Sequence, residues 1–269
     1  MYNLFHGDCL ELMGDLDDNS IDLILCDLPY GTTDRHGSEK KNKSRIFKWD
    51  SVIPLDKLWN HYKRILKPTG AVVLTADQPF TSKLVLSNLE WFKYEWIWKK
   101  RKTTGFLTAN YRPMKSTEDI LVFSAAGAAA ASKNSKRGLM VYNPQGLKEK
   151  RVVKKNNPNR LGKILGVKEF IGENNKLLSS KEYEQKWTNY PSEIIEFGLD
   201  KDTVHPTQKP LALMEYLVKT YTDENAWVLD NAMGSGTTGV ACINTNRNFI
   251  GMEIDKEYFE ISKERMESK

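Results

Sequence analysis

"AWVLDNAMGSGTTGVACINTNRNFIGMEID", Ala226–Asp255, is the stretch on which the fold turns. Ala226–Asp230 is a short apolar run of the kind that forms a buried strand. Gly234, Gly236 and Gly239 follow in G-x-G-x-x-G spacing and open a segment that continues as a helix. A second strand, "FIGMEID", begins at Phe249, and Glu253 stands nineteen residues after Gly234. Glycines let the backbone approach a ligand, a helix N-terminus attracts negative charge, and an acid ending the next strand can bind ribose hydroxyls. A tight turn that needs only small residues accounts for the glycines alone. Strand, helix and acid in this order add up to a nucleoside site.

The position of this unit in the chain is unusual. A dinucleotide fold begins with such a unit and adds strands after it, yet only sixteen residues follow Glu253. The missing strands lie at the N-terminus. "YNLF", "IDLILCD" and "AVVLTAD" lack strict alternation and read as strands buried on both faces, as in a parallel sheet. Between the last two, Leu55, Leu58, Trp59, Tyr62, Ile65 and Leu66 share one helical face, and Lys67-Pro68 and Gly70 stop that helix. "QPFTSKLVLSNL" reads as a helix, "YEWIWKK" and "EDILVFS" as strands. Near the other end Leu213, Met214, Leu217, Val218 and Tyr221 form a helical stripe, and "KEYFEISKERM" closes the chain as a helix. The expected fold is α/β: a Rossmann-like sheet, permuted so that its nucleoside-binding half comes last, with helices on both faces. Ligands bind at the carboxyl ends of parallel strands. Asp27–Gly31 and Asp230–Gly236 both occupy such ends, so they can line one crevice although about two hundred residues separate them.

The chain has 269 residues, enough for one large domain or a core with an insertion. Residues 125–204 read as that insertion, between core halves 1–124 and 205–269. "AAGAAAASKNSKRG" is of low complexity, and Ser132–Lys168 carries eleven Lys or Arg against one acid, Glu149. "RHGSEKKNKSRIFK" and "WKKRK" are two further basic runs. The net charge of +5 is therefore concentrated, which suits a polyanion partner; solvated loops are the blander account. Three dispersed cysteines, Cys9, Cys26 and Cys242, support neither a disulfide framework nor a zinc site, and no metal is called for. The acidic N-terminal segment does not read as a signal peptide, and no apolar run reaches membrane-spanning length. A soluble, cytoplasmic protein is expected, with no membrane partner.

With both motifs in view, the chain resembles the amino-methyltransferases of DNA, which use S-adenosylmethionine. The catalytic motif of that family is Asp/Asn/Ser-x-Pro-Tyr/Phe/Trp, here Asp27-Leu28-Pro29-Tyr30. Its cofactor motif is matched by Asp230–Thr237, "HGDCLELM" resembles its N-terminal acidic motif, and "HPTQKPLALMEYLV" (His205–Val218) resembles the segment before the cofactor strand. Catalytic motif first, recognition insert next and cofactor motif last is the order of the β class. Leu28 replaces the commonest Pro, and Asn231-Ala232 replaces Pro-Phe, which leaves the contacts at that end of the cofactor open.

The resemblance implies roles. The exocyclic amine of adenine is a poor nucleophile because its lone pair is delocalised. The Asp27 carboxylate and the Leu28 carbonyl would accept its two hydrogens and favour a pyramidal nitrogen, and Asp27 would face the developing positive charge. Pro29 would keep those acceptors aimed, and Tyr30 would offer a flat face to a base extruded from the duplex. An N-cap for Asp27 and a half-buried strand-end aromatic for Tyr30 are the structural alternatives. Asp230 with Gly234, Ser235, Gly236 and Thr237 would hold the methionine part of the cofactor, Glu253 its ribose, and Asp8 would lie near its adenine. Thr207 and Lys209 would reach the methionine carboxylate; no role is chosen for His205.

Asp at position 27 favours adenine-N6 over cytosine-N4, where Ser is commoner in the family. Cytosine-N4, RNA or a protein amide as acceptor, and a DNA-binding module without catalysis, stand as alternatives. Cys26 reads as core. The basic insert would contact double-stranded DNA, the run Arg35–Lys48 could close over it, and Trp49, Trp91, Trp96 and Trp98 could stack on bases, although most of them read as core. A homodimer and a cognate restriction enzyme are further partners that the resemblance brings in.

Overall fold

The computed structural model describes residues 1–31, 51–129, 132–155, 182–201, 203–204 and 208–269. Arg35–Lys48, Trp49, His205 and Thr207 lie outside the described residues. The elements in chain order are β1 (Tyr2–His6), α1 (Cys9–Leu12), β2 (Ile21–Cys26), α2 (Leu55–Ile65), β3 (Leu66–Ala76), α3 (Phe80–Ser87), β4 (Phe92–Thr104) and β5 (Lys115–Phe123). They continue with β6 (Lys148–Lys155), β7 (Glu182–Thr188), β8 (Ile194–Phe197), α4 (Leu211–Tyr221), β9 (Trp227–Asp230), α5 (Thr237–Asn244), β10 (Asn248–Glu253) and α6 (Lys256–Glu267).

Eight strands form one sheet in the order β1-β10-β9-β2-β3-β5-β4-β8. From β1 to β3 all neighbours are parallel; β5 is antiparallel to β3 and β4, and β8 is parallel to β4. The first and last segments of the core are thus interleaved, as a permuted sheet requires. Strand β2 pairs directly with β9, Leu23 opposite Val228 and Ile24 opposite Leu229. Being parallel neighbours, they bring the segments that follow them, Asp27–Tyr30 and Asn231–Thr237, to the same edge of the sheet.

Apolar runs without alternation work here because both faces are covered. Leu23 and Leu25 of β2 face one apolar cluster, together with Leu213, Leu217 and Tyr221 of α4, Val240 of α5 and Met266 of α6. Ile21, Ile24 and Cys26 of the same strand face the other, with Leu58, Trp59, Tyr62 and Ile65 of α2 and Phe80 of α3. Asp22, the polar residue in this strand, is satisfied by Lys67 Nζ at 2.8 Å and by the Trp227 backbone N–H at 2.9 Å.

Two expectations need correction. The strand "YNLF" is not buried on both faces: β1 is the sheet edge, pairs with β10, and leaves Phe5 39% exposed. Helix α2 ends at Ile65, ahead of the Lys67-Pro68 stop, because Leu66 already opposes Ile21 in the ladder. Trp91, Trp96 and Trp98 are buried, as their reading as core residues expects. Trp96 Nε1 donates to Tyr221 Oη at 2.5 Å and Trp98 Nε1 to the Phe197 carbonyl at 3.0 Å.

The second compact unit is Pro144–Pro191, narrower than the expected insertion of residues 125–204. Ala126 and Met140 are buried in the main apolar cluster, and β8 continues the main sheet, so both flanks of the expected insertion belong to the core unit. The second unit holds the antiparallel pair β6 and β7, with Asn189 Nδ2 bonded to the Gly146 carbonyl at 2.7 Å.

Candidate active site

At the carboxyl edge of β9, β10 and β2 lies a cavity of about 510 Å³. Such a volume is within the range that holds a small-molecule ligand or cofactor. Asp8, Asp230, Gly234, Ser235, Thr237 and Glu253 line one part of its wall; Asp27, Leu28, Pro29, Tyr30 and Lys209 line another. The residues of both sequence motifs therefore meet in one space. Gly236, which also belongs to the glycine run, caps α5 from beside that wall.

The glycine loop has the backbone that its sequence demands. Gly234 and Gly236 take φ of 50° and 76°, the left-handed region that L side chains rarely adopt. Gly239 serves packing: a Cβ there would lie 2.8 Å from Phe249 Cε1 and against Met266 Sδ. Glu253 holds the loop from β10, one carboxylate oxygen accepting from the Gly234 N–H and the other from the Asp255 N–H, each at 2.8 Å. A carboxylate accepts about four hydrogen bonds, so both oxygens retain capacity for ligand hydroxyls. Burial raises the Glu253 carboxyl above its ordinary value, while these backbone donors pull it down. Arg265 braces the loop from α6 by donating to the Ser235 carbonyl.

Asp230 ends β9 almost fully buried and accepts from Thr238 Oγ1 at 2.7 Å and the Ala232 N–H at 3.2 Å. Burial pushes its carboxyl up to about 6, against the lowering pull of Thr238. An acid kept buried at the lip of a cavity suits a cationic group such as the ammonium of S-adenosylmethionine. The donor set and the glycine cradle thus fit that cofactor. Asn231, which replaces the family's Pro, accepts from Tyr62 Oη at 2.6 Å and ties the loop to α2. Asp8 caps α1 through the Leu10 N–H at 2.8 Å while lining the cavity.

Asp27 follows β2 and is not a helix cap. Its Oδ1 accepts from Tyr30 Oη at 2.7 Å and from Thr75 Oγ1 of β3; its Oδ2 accepts from Lys209 Nζ at 2.7 Å. Tyr30 is stacked on Phe80, ring centroids 5.3 Å apart, so one ring face is already covered. Burial first, and then the Asp27 charge, push the Tyr30 hydroxyl well above its ordinary value, which keeps it a donor. The Leu28 side chain is buried in the core.

Lys209, which the resemblance places at the methionine carboxylate, has its ammonium on Asp27 Oδ2 at 2.7 Å, with Glu118 Oε2 at 3.4 Å. Burial alone would lower its ammonium; Asp27 and then Glu118 outweigh that and hold it above the ordinary value. Glu118 in turn binds Lys100 of β4 at 2.5 Å. Thr75, Phe80, Lys100 and Glu118 were not singled out in the sequence. Lys100 stands only as part of the basic run "WKKRK"; the other three lie tens of residues from the motif in the chain, and no local signal or spacing rule marks them. Gln208 links the segment before α4 to the glycine loop, its Oε1 accepting from Ser235 Oγ at 3.4 Å. Cys26 is buried in the core, and burial raises its thiol well above the ordinary value, which does not suit a nucleophile.

Comparison with known proteins agrees with this geometry. Type II methyltransferase M2.DpnII of Streptococcus pneumoniae is 27% identical over 279 residues, covering 98% of this chain and 89% of the relative. DNA adenine methyltransferase YhdJ of Escherichia coli is 25% identical over 283 residues, covering 98% of this chain and 82% of the relative. The crystal structure of an M1.HpyAVI–SAM complex superposes with a TM-score of 0.60 at 26% identity, covering 98% of this chain and all of that one. Among the described residues no helix is long and apolar enough to cross a membrane. The family model for DNA methylase, N6_N4_Mtase, matches residues 21–264, so this chain belongs to the DNA methylase family and is an S-adenosylmethionine-dependent DNA methyltransferase.

Proposed function

We propose that the chain transfers a methyl group to the exocyclic N6 amine of adenine in double-stranded DNA, on a base extruded from the duplex. The observation that carries this reading is the Asp27 carboxylate, aimed by Thr75 and Tyr30 and sharing a cavity with Asp230, Gly234 and Glu253. S-adenosylmethionine supplies an activated sulfonium methyl. Asp230 and the Gly234–Thr237 backbone hold its methionine part and Glu253 its ribose. Asp8 borders the adenine end.

The chain's own residues prepare the nucleophile. One Asp27 oxygen is fixed by Tyr30 and Thr75, which leaves Oδ2 as the acceptor for an amine hydrogen. The Leu28 carbonyl takes the second hydrogen. Lys209 occupies Oδ2 in this structure, and Glu118 Oε2, which accepts no well-formed hydrogen bond, gives its ammonium a second seat as the amine arrives. The pair of carboxylates thus keeps Lys209 charged and buried through the exchange. Pro29 keeps the turn closed, and the face of Tyr30 away from Phe80 receives the base.

Asp at position 27, together with the name of the adenine-specific relative, favours adenine over cytosine-N4. The basic character of the segment around Pro144–Pro191 supports a target-recognition role for that unit, by contact with phosphates first. Homodimer formation and a partner restriction enzyme are the further associations we propose, on the Type II names of the relatives alone.

The test pairs binding with turnover. Calorimetry should show S-adenosylmethionine binding, and labelled cofactor should pass its methyl to unmethylated phage λ DNA but not to total RNA or to a protein lysate. Label in RNA or protein, with none in DNA, would reject the proposal.

A further inference from the structure

The connection between β4 and β5 carries the most exposed apolar cluster of the core unit. Phe106 is 79%, Leu107 95% and Tyr111 89% exposed. Their backbone is nevertheless ordered. Gly105 takes φ of 92° and starts a 3-10 turn over Phe106–Thr108. The Thr108 N–H bonds the Gly105 carbonyl at 3.0 Å, the Tyr111 N–H bonds the Thr108 carbonyl at 2.9 Å, and Arg112 Nε bonds Thr108 Oγ1 at 3.1 Å. This turn holds large apolar side chains in water, where a soluble protein gains nothing from them.

Two features point to the occupant. Thr104, two residues before Phe106, and Lys100 line the cavity that contains Asp27, so the hairpin rises from the rim of the active site. The hairpin is also strongly basic: Lys99–Thr117 contains six Lys or Arg and no acid. Lys99 and Arg101 are paired with Glu196, Lys100 with Glu118, and Lys115 with Asp77. Among the described residues no acid pairs with Lys102 or Arg112, which flank the apolar tip. An apolar tip between two cations with no acid beside them among the described residues, at the mouth of a site whose substrate base must leave a stack, matches the chemistry of a nucleic-acid duplex with a gap in it.

We propose that the β4–β5 tip, through Phe106, Leu107 and Tyr111, enters the DNA duplex beside the extruded base and occupies the space that base leaves, while Lys102 and Arg112 hold the adjacent phosphates. This rests on the reading that the chain methylates a base in duplex DNA. A second copy of this chain is the other occupant that an exposed apolar tip could take, and the test separates the two.

The experiment uses the full chain with Phe106, Leu107 and Tyr111 all replaced by serine, beside a second variant, Phe106→Leu, Leu107→Met and Tyr111→Phe. Rates of label transfer are measured across concentrations of native phage λ DNA, S-adenosylmethionine affinity by calorimetry, and mass by sedimentation. The serine variant should bind the cofactor within twofold of the parent, which shows an intact fold. Its kcat/KM for native DNA should fall by about tenfold or more, the range expected from losing stacking on one base. The apolar variant should recover to within about threefold, because the wedge needs apolar volume and not particular residues. A serine variant within twofold of the parent overturns the proposal. So does an apolar variant as impaired as the serine one, or a parent dimer that becomes a monomer on serine substitution. A parent that binds the cofactor but labels no DNA would instead overturn the DNA reading, and this proposal with it.

Discussion

Asp230→Asn should raise stability while abolishing tight cofactor binding. The carboxylate is 3% exposed at the end of β9, and burial lifts its pKa from the ordinary 3.8 to about 6. A folded-state pKa above the unfolded one means that the native state favours the protonated acid. Stability is therefore greatest below the unfolded value, falls as pH rises from about 4 to about 6, and stays reduced above that. The ionised form costs about 3 kcal/mol at neutral pH. Asparagine removes the charge and keeps an acceptor for the Ala232 N–H, while its NH₂ meets Thr238 Oγ1, whose hydroxyl can rotate to accept. A misfit of about 1 kcal/mol at that bond leaves a net gain of about 2 kcal/mol at pH 8. For a chain of this size that is an increase in Tm of about 4 °C. At pH 4 the parent acid is largely neutral and the gain disappears. Thermal unfolding of parent and variant at pH 4 and pH 8, compared as differences, reads this directly. Calorimetry should show at least about tenfold weaker binding of S-adenosylmethionine, the loss expected for a charge-assisted hydrogen bond. A variant less stable at pH 8, a gain equal at both pH values, or unchanged cofactor affinity would refute the reasoning.

Lys209→Met removes the ammonium that lies between Asp27 and Glu118 and leaves Asp27 without its ion pair, while Glu118 keeps Lys100. Breaking this buried pair should lower kcat for methyl transfer by about tenfold or more, measured with labelled cofactor at saturating DNA; a kcat within twofold of the parent would contradict the arrangement. Tyr30→Phe keeps the ring on Phe80 but removes the donor to Asp27, so it should lower kcat by about tenfold while Tyr30→Ala loses considerably more and raises KM for DNA. Gly239→Ala drives a Cβ against Phe249 and Met266 and should destabilise the protein by about 1–3 kcal/mol in urea unfolding.

The terminal β-α-β unit could be read from the chain because its glycines, its apolar runs and Glu253 are local signals within a few tens of residues. The same holds for α2 and α4, whose stripes match their buried faces. What the sequence did not disclose depends on long-range pairing. Strand β8 has four residues and polar neighbours, and it becomes part of the sheet only because β4 offers an edge, so nothing local separates it from the insert before it. The apolar character of "YNLF" cannot say that its strand is the last in the sheet. The bond from Lys209 to Asp27 is not legible, because nothing in the segment before α4 points to a carboxylate 182 positions earlier in the chain. Thr75 and Glu118 look like ordinary strand residues until β3 and β5 bring them beside Asp27. Meeting of Asp27 and Asp230 in one cavity was deducible, since parallel strands direct both motifs to one edge.

The most direct test is the identity of the methylated atom. The parent protein and Asp27→Ala are incubated with labelled S-adenosylmethionine and unmethylated genomic DNA, and the DNA is digested to nucleosides and separated. The account predicts label in N6-methyladenine with the parent and none with the variant, although the variant still binds the cofactor. Label in N4-methylcytosine, or N6-methyladenine formed equally well without the Asp27 carboxylate, would contradict it.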